Sequence, residues 1–279
     1  QKVVEAMARV MAKTMRVSGS ESLSVAANVF IGQTEAPLVI RPYIPTMTQS
    51  ELLTLMVGGM ATIAGGVLAA YVSILGGADV ELQILYAKHL LSASIMAAPA
   101  TMVIAKILLP ESEVSETREH VKIKVEKTTV NVIDAAATGA ADGLKLALNV
   151  GAMLLAFIAI IAMLNYILES FGGITGISDM IGNPLNLNVI LGYLLAPIAW
   201  IIGVPWGDAI NVGALIGQKI VLNEFIAYLD LGRMIKQEML SEKAVIISTY
   251  ALCGFANFSS IAIQIGGIGG IAPNRRKDL

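Results

Sequence analysis

Long apolar stretches with short polar interruptions run through most of the chain. Leu52–Ala78 contains no charged residue and is long enough to cross a bilayer, which takes about 20 apolar residues in a helix. Leu82–Leu109 predicts a second span with a kink at Pro99, and Gly151–Leu168 predicts a third. The glycine-rich centre of the first span, Gly58–Gly66, favours an unwound middle. This pattern predicts an all-α integral membrane protein with a discontinuous transmembrane helix.

A polar break near the start of the chain separates two short apolar segments. Leu23–Ile31 and Leu38–Ile44 are each too short to span a membrane. Between them, Gly32 frees the backbone, while Pro37 withholds an amide hydrogen and disfavours helix at the residue before it. We therefore predict a re-entrant hairpin, in which two half-length helices are joined by a polar tip.

A second broken unit follows later in the chain. Ile210–Leu231 is interrupted by Asn223 and Glu224, and the uncharged segment Ala244–Ala272 has a polar middle. Because three predicted spans lie between the two hairpins, the second hairpin is expected to enter from the opposite side of the membrane. Inverted repeats with discontinuous helices that meet at the midplane are typical of secondary transporters.

Local sequence matches support an internal duplication. The segment FIGQ at 30–33 resembles LIGQ at 215–218, and GMATI at 59–63 resembles GFANF at 254–258. In both halves the hairpin precedes a span with a broken centre. We therefore predict a first repeat at 1–129 and a second repeat at 130–279, each containing a hairpin and a discontinuous span.

The remaining segments predict elements at the membrane surface. Lys2–Val17 is amphipathic and too charged to span, which favours an interfacial helix. Pro110–Thr129 carries mixed charges and predicts a solvated loop, whereas Val130–Val150 predicts a separate, moderately polar helix before the third span. Val189–Val204 predicts an apolar helix along the outer interface.

Composition agrees with a multi-pass protein in the lipid bilayer. The chain is 56% hydrophobic and only 14% charged, against about 25% charge in average soluble domains. The net charge of −2 gives no basic surface for nucleic acid, and the single Cys253 excludes an internal disulfide. Because the chain opens with Gln1 inside a predicted helix, we expect a preceding portion of the protein.

Two acidic residues stand in otherwise apolar surroundings. An acidic residue at the centre of a membrane helix costs about 2.5–3.5 kcal/mol, so Glu35 and Glu224 are expected to serve a function. An intramembrane enzyme could use them as an acid/base pair. The sequence has no accompanying metal or nucleophile pattern, however, and a purely structural subunit would have no need of them. We therefore expect a binding site and no enzymatic activity.

Three segments resemble the signatures of a known family. Residues 32–38 (GQTEAPL), 223–225 (NEF) and 254–260 (GFANFSS) resemble, in this order, the signature segments of the concentrative nucleoside transporters. The resemblance covers nearly the whole chain and implies a homotrimer of ion-coupled nucleoside symporters in the cell membrane. Each protomer has a scaffold and a moving transport domain. Relative to that family, the chain is expected to lack about three N-terminal spans and the last C-terminal span.

The resemblance also implies the site residues, matched position by position. The nucleobase side would consist of Gln33, Thr34, Glu35 and Val67, and the ribose side of Asn223, Glu224, Phe255, Asn257 and Ser260. The carboxamide of Gln33 offers a donor and an acceptor to a base, and ionised Glu224 can accept from both hydroxyls of a ribose diol.

A sodium site is implied just before the first hairpin tip. Its ligands would be the side chains of Asn28 and Thr62 and the backbone carbonyls of Ile31 and Ile63. Without the resemblance, Asn and Thr in such positions more often hydrogen-bond between helices. The alternative is proton coupling, which would need no such oxygen ligands. The sequence leaves the preference between pyrimidine and purine nucleosides open.

Overall fold

A computed structural model describes residues 2–117 and 130–279, and these residues form helices with short connections. The all-α prediction is confirmed for them. In the predicted charged loop, residues 118–129 lie outside the described residues. The helices are α1 Lys2–Met15, α2 Gly19–Asn28, α3 Ala36–Val39, α4 Gln49–Ala61, α5 Gly65–Gly76, α6 Val80–Leu108, α7 Val132–Thr175, α8 Ile177–Ile181, α9 Leu187–Ile201, α10 Ala209–Val221, α11 Glu224–Lys236, α12 Glu242–Leu252 and α13 Phe258–Ile271.

The first hairpin consists of α2 and α3. Helix α2 begins with a capping box, in which the Ser18 hydroxyl accepts from the Glu21 amide and the Glu21 carboxylate accepts from the Ser18 amide. The helix ends at Asn28, and the chain then runs without helix until α3 begins at Ala36. Pro37 lies in the first turn of α3, where a missing amide hydrogen costs no helical hydrogen bond. The predicted break is confirmed, but Ala36, where Pro37 was expected to disfavour helix, is the first residue of α3.

The first discontinuous span consists of α4 and α5, with an unwound segment at Thr62–Ala64. The break is shorter than predicted, because Gly58 remains helical. A Cβ atom at Gly58 would lie 3.1 Å from Val25 Cγ2 on α2, so this glycine permits close helix packing. Together Gln49–Gly76 and the 29-residue α6 are long and apolar enough to cross a membrane.

Helix α7 corrects one prediction. We expected an interfacial helix at Val130–Val150 and a separate span at Gly151–Leu168, but α7 is one continuous helix of 44 residues. A glycine inside a helix costs only about 1 kcal/mol relative to alanine, and without a proline this cost does not end the helix. At 1.5 Å per residue α7 is about 66 Å long, roughly twice the thickness of the hydrocarbon core.

The second repeat contains the second hairpin, α10 and α11, and a second discontinuous span, α12 and α13. The hairpin breaks at Leu222 and Asn223, where the Asn223 side chain caps α11 by accepting from the Ile226 amide at 3.0 Å. The span breaks at 253–257. The order of a broken hairpin and a broken span therefore recurs as predicted, whereas the repeat boundaries at 1–129 and 130–279 stay a prediction.

The residue-level alignment of the two hairpins differs from the structure. Residues 30–33 lie in the break of the first hairpin, but residues 215–218 lie inside α10, before the break of the second. Helix α10 continues through these residues, and its Gly213 and Gly217 pack directly against α9. A Cβ atom at Gly213 would lie 2.7 Å from the carbonyl oxygen of Gly192. The match in sequence thus does not mark equivalent positions.

One hydrophobic cluster brings the repeats together. Tyr71 of α5 and Leu90 of α6 pack with Leu215, Tyr228 and Leu231 of the second hairpin. The broken end of the first span therefore lies against the second hairpin, and this packing positions the groups described next.

Candidate functional site

Side chains at the helix breaks are hydrogen-bonded across the two repeats. Glu224, the first residue of α11, is 5% exposed. Its Oε1 accepts from the Tyr71 hydroxyl at 2.9 Å, and its Oε2 accepts from Asn257 Nδ2 at 3.0 Å. The amide end of a helix carries positive partial charge, which stabilises a carboxylate at this position. The structure thus supplies three favourable partners to one buried carboxylate.

Tyr71 was not among the predicted site residues. It is fully buried in α5 and stacks on Tyr228, with ring centroids 4.2 Å apart. A buried tyrosine hydroxyl usually has a hydrogen-bond partner, and here that partner is Glu224. The sequence signal that could have identified Tyr71 is a tyrosine hydroxyl in the middle of an uncharged span.

Asn257 links the second broken span to this carboxylate. Its Oδ1 caps α13 by accepting from the Ser260 amide at 2.8 Å, and it also accepts from the Ser259 hydroxyl at 2.6 Å. Its Nδ2 is left to donate to Glu224. Asn223 differs, because its side-chain oxygen caps α11 by accepting from the Ile226 amide, and among the described residues its side chain makes no hydrogen bond to Glu224.

Gln33 approaches the same region from the first hairpin. Its Nε2 donates to Ser260 Oγ at 3.3 Å, and its Oε1 accepts from Gln264 Nε2 at 3.2 Å. Val67 and Phe255 are partly buried and pack against the hydrophobic cluster that contains Tyr71. The structure therefore brings the predicted residues of α13 and of the first hairpin tip into contact.

Thr34 and Glu35 are exposed on the hairpin tip. The Glu35 carboxylate folds over Gly32, where a Cβ atom would lie only 2.3 Å from Glu35 Oε2. Of the two predicted carboxylates, Glu224 is therefore buried and Glu35 is exposed. Glu35 and Thr34 stay predicted site residues.

The predicted ion-site residues lie together at the ends of α2 and α4. Asn28 Nδ2 donates to the Gly58 carbonyl at 2.5 Å and to Thr62 Oγ1 at 2.6 Å, and Thr62 Oγ1 donates to the Asn28 carbonyl at 3.2 Å. Ile63 is buried next to Thr62, whereas Ile31 lies on the exposed tip, 37% exposed. The carbonyl ends of two helices add negative partial charge to this place.

The polar groups around Asn28 fit a small cation. Asn28 is 2% exposed, and its Oδ1 has no partner in the described part of the chain. Rotating the carboxamide by half a turn would point Oδ1 at the Gly58 carbonyl and the Thr62 hydroxyl. That arrangement collects oxygen atoms, which are the ligands that a hard cation prefers.

A buried lysine lies on the second hairpin. Lys219 is 9% exposed, and its Nζ donates to the carbonyl oxygen of Ala251 at 3.0 Å. That carbonyl belongs to the last turn of α12, where helix carbonyls lack intrahelical partners. Lys219 was not among the predicted site residues, although it is the single cation in an apolar helix.

Several curated proteins are similar to this chain. YutK of Bacillus subtilis, an uncharacterized transporter, is 48% identical over 270 residues, which cover 96% of this chain and 63% of that protein. The nucleoside permease NupC of Helicobacter pylori is 43% identical over 270 residues, covering 96% and 60%. Sodium/nucleoside cotransporter 1 of Homo sapiens is 40% identical over 293 residues, covering 100% and 43%. These relatives are transporters rather than enzymes, which confirms the non-enzymatic prediction.

Solved structures of CNTnw have the same fold. The inward-facing, substrate-bound structure is 46% identical with a TM-score of 0.86, and it covers 100% of this chain and 62% of that chain. A variant in an intermediate state is 47% identical with a TM-score of 0.88, covering 100% and 64%. The chain thus spans less than two thirds of the length of these proteins.

Two family models match adjacent parts of the chain. A nucleoside recognition (Gate) domain matches residues 1–78, and the C-terminal domain of the Na⁺-dependent nucleoside transporters matches residues 89–279. The second match alone covers more than half of the chain, and its boundaries contain the second hairpin and both segments of the second broken span. The chain therefore belongs to the family of Na⁺-dependent nucleoside transporters, which are multi-pass proteins of the cell membrane.

Proposed function

We propose that the full-length protein is a secondary active transporter that moves nucleosides into the cell by sodium-coupled symport. The observation that carries this proposal is the buried Glu224, held by Tyr71 and Asn257 where a hairpin of one repeat meets broken spans of both. In this proposal the hairpins belong to a transport domain that alternates between the two sides of the membrane.

The ribose would be bound around Glu224. A carboxylate has about four acceptor positions, and Tyr71 and Asn257 occupy one on each oxygen. The two remaining positions suit the neighbouring hydroxyls of a ribose, which would donate charge-assisted hydrogen bonds. Asn223, Phe255 and Ser260 line the same end of the site in this proposal.

The nucleobase would lie towards the first hairpin tip. Gln33 keeps one amide hydrogen and one acceptor position free after its bonds to Ser260 and Gln264, so it can offer both to the edge of a base. Val67 would supply an apolar contact to the base. Thr34 and Glu35 are exposed on the tip and would complete this side when the substrate is bound.

Sodium would be held by Asn28 and Thr62 together with the carbonyls of Ile31 and Ile63. The support for it is the unpartnered Oδ1 of buried Asn28 among nearby oxygen atoms. One sodium ion entering under about 100 mV releases roughly 2.3 kcal/mol, and a tenfold gradient adds about 1.4 kcal/mol. The sum supports a nucleoside gradient of several hundredfold, so one ion for each nucleoside is sufficient.

The surface of the long helix α7 suits contacts with lipid and with other protomers. Leu148, Leu155 and Met163 are exposed large apolar side chains along it. Exposed apolar surface of this kind is buried in a bilayer or in an oligomer. We include a homotrimer in the proposal, and the mass of the purified full-length protein in detergent tests it.

The direct test is transport by the full-length protein in proteoliposomes. We expect uptake of labelled uridine to rise with an inward sodium gradient and to lose this stimulation in Asn28→Ala. Recovery of chemically unchanged uridine from the vesicle interior would distinguish transport from catalysis. Uptake that ignores sodium but follows a proton gradient would replace sodium with proton coupling.

A further inference from the structure

Gln264 on α13 lies behind the first hairpin tip and contacts the residue that is proposed to read the base. It is 2% exposed, and its Nε2 donates to Gln33 Oε1 at 3.2 Å and to the Met56 carbonyl at 3.0 Å. We infer that Gln264 is a positioning residue that fixes which way round the Gln33 carboxamide faces the nucleobase. This inference rests on the proposed function.

The orientation of Gln264 is dictated by the backbone. The Met56 carbonyl in α4 can only accept, so Gln264 must present its amide nitrogen to it. The opposite orientation would place the Gln264 carbonyl against two acceptors, the Met56 carbonyl and Gln33 Oε1. Because Gln264 Oε1 has no partner in the described part of the chain, no competing bond favours that opposite orientation.

The orientation then passes to Gln33. Since Gln264 donates to Gln33 Oε1, the Gln33 nitrogen must lie on the other side, where it donates to Ser260 Oγ at 3.3 Å. Turning the Gln33 carboxamide over would place its nitrogen against the nitrogen of Gln264, two donors facing each other. A donor and an acceptor therefore face the substrate in a fixed order.

A glycine makes room for this arrangement. A Cβ atom at Gly59 would lie 2.2 Å from Gln264 Nε2 and 3.3 Å from Gln33 Cβ. Any side chain at this position would push the two glutamines apart. Gly59 thus offers a second, independent way to disturb the same contact.

A fixed order discriminates between bases whose edges have opposite polarity. Uridine presents an acceptor at O4 beside a donor at N3, whereas cytidine presents a donor at N4 beside an acceptor at N3. A freely turning carboxamide would serve both edges equally. The fixed Gln33 should therefore favour one of the two, and the contact with Gln264 is what maintains that difference.

The test measures KM for uridine and cytidine uptake by the full-length protein under a sodium gradient. We expect unequal KM values in the wild type. In Gln264→Met and in Gly59→Ala the ratio of the cytidine KM to the uridine KM should move towards one. The expected change is about two- to tenfold, which is the range for one hydrogen bond between neutral groups. Gly270→Ala on α13, the helix that carries Gln264, is the matched control, because a Cβ atom at Gly270 would meet nothing within 4 Å.

A second ratio separates positioning from general damage. The KM ratio of 2′-deoxyuridine to uridine reports the ribose side and should stay unchanged in both variants. If Gly59→Ala acts through Gln264, it should change the base ratio little further in the Gln264→Met background.

Three outcomes would overturn the inference while leaving nucleoside transport intact. These are equal KM values for the two bases in the wild type, an unchanged base ratio in both variants, and equal losses in the base and ribose ratios. If Gln264→Met does not insert or fold, Gly59→Ala carries the test alone. Absence of any nucleoside uptake by the wild type would instead refute the proposed function.

Discussion

Replacing Tyr71 by phenylalanine removes one hydroxyl from a fully buried place. The ring and its stacking on Tyr228 are retained, so the change is confined to the 2.9 Å hydrogen bond with Glu224. Glu224 then keeps only Asn257 as a side-chain donor among the described residues. The Tyr71→Phe variant therefore tests whether ribose binding requires a Glu224 carboxylate that is already oriented by Tyr71.

The expected magnitude follows from the charge of the acceptor. A hydrogen bond to a charged group contributes about 1.5–3 kcal/mol, and each 1.4 kcal/mol is a factor of ten in binding. We therefore expect the KM for uridine to rise by about 10- to 150-fold in Tyr71→Phe. The effect is a rise, because without the Tyr71 hydroxyl the Glu224 carboxylate must be oriented when the ribose binds; it is not a fall, because Tyr71 occupies none of the acceptor positions that the ribose would use.

Tyr228→Phe is a matched control. Tyr228 is equally buried and belongs to the same aromatic stack, but its hydroxyl donates to the Thr249 backbone carbonyl at 2.8 Å. Loss of this neutral bond should lower the free energy of unfolding by about 1 kcal/mol and leave the KM near the wild-type value.

The assay combines sodium-driven uridine uptake with thermal unfolding of the purified full-length protein in detergent. We expect both variants to lose some thermal stability and only Tyr71→Phe to lose affinity. An unchanged or lower KM in Tyr71→Phe would refute the assignment of Tyr71 to the site. A KM that rises equally in the two variants would indicate that the aromatic packing, rather than Glu224, was disturbed.

Three further substitutions test other parts of the structure. Asn28→Ala should abolish the stimulation of uptake by sodium while the protein remains folded, and a retained sodium response would remove it from the ion site. Glu224→Gln should raise the KM for uridine by the factor that corresponds to a loss of about 2–3 kcal/mol in binding free energy, because a carboxamide cannot accept from both ribose hydroxyls. The KM for 2′,3′-dideoxyuridine should rise much less. Equal effects on the two substrates would contradict a ribose contact. Gly213→Ala should lower the thermal stability, because the new Cβ would lie 2.7 Å from the carbonyl of Gly192, whereas Gly207→Ala, with nothing within 4 Å, should be neutral in the same unfolding measurement.

Much of the helical architecture could be predicted from local signals. The break between α2 and α3 could be predicted from Gly32 and Pro37, although α2 already ends at Asn28 and Pro37 lies in the first turn of α3. The continuity of α7 was missed, since glycines and polar residues at 130–150 indicated a separate element. A glycine only weakens a helix, so its effect depends on what surrounds it. Gly58 illustrates the same limit, because it remains inside α4 and lies where a Cβ atom would be 3.1 Å from Val25 Cγ2 on α2.

The site residues likewise include some that could be predicted from the sequence and some that could not. Glu224 could be identified from the sequence, because a carboxylate within apolar residues is costly wherever it lies in a membrane. Glu35 stays a predicted site residue by the same argument, but its exposed position on the hairpin tip depends on the path of the chain and not on the local sequence. Tyr71, Lys219 and Gln264 were missed because their importance comes from partners that are distant in the sequence.

The sequence by itself determined the membrane character, the broken helices and the family, since each depends on composition or on short contiguous motifs. Only the tertiary structure decided which polar groups share a site and how each one is oriented. Gln33 and Gln264 are 231 residues apart, and the hydrogen bond between them exists because the tip of the first hairpin lies against the second broken span, which belongs to the other repeat. The direction of that bond is set by the backbone carbonyl of Met56. Every residue has such a carbonyl, so only the fold defines which one lies beside Gln264.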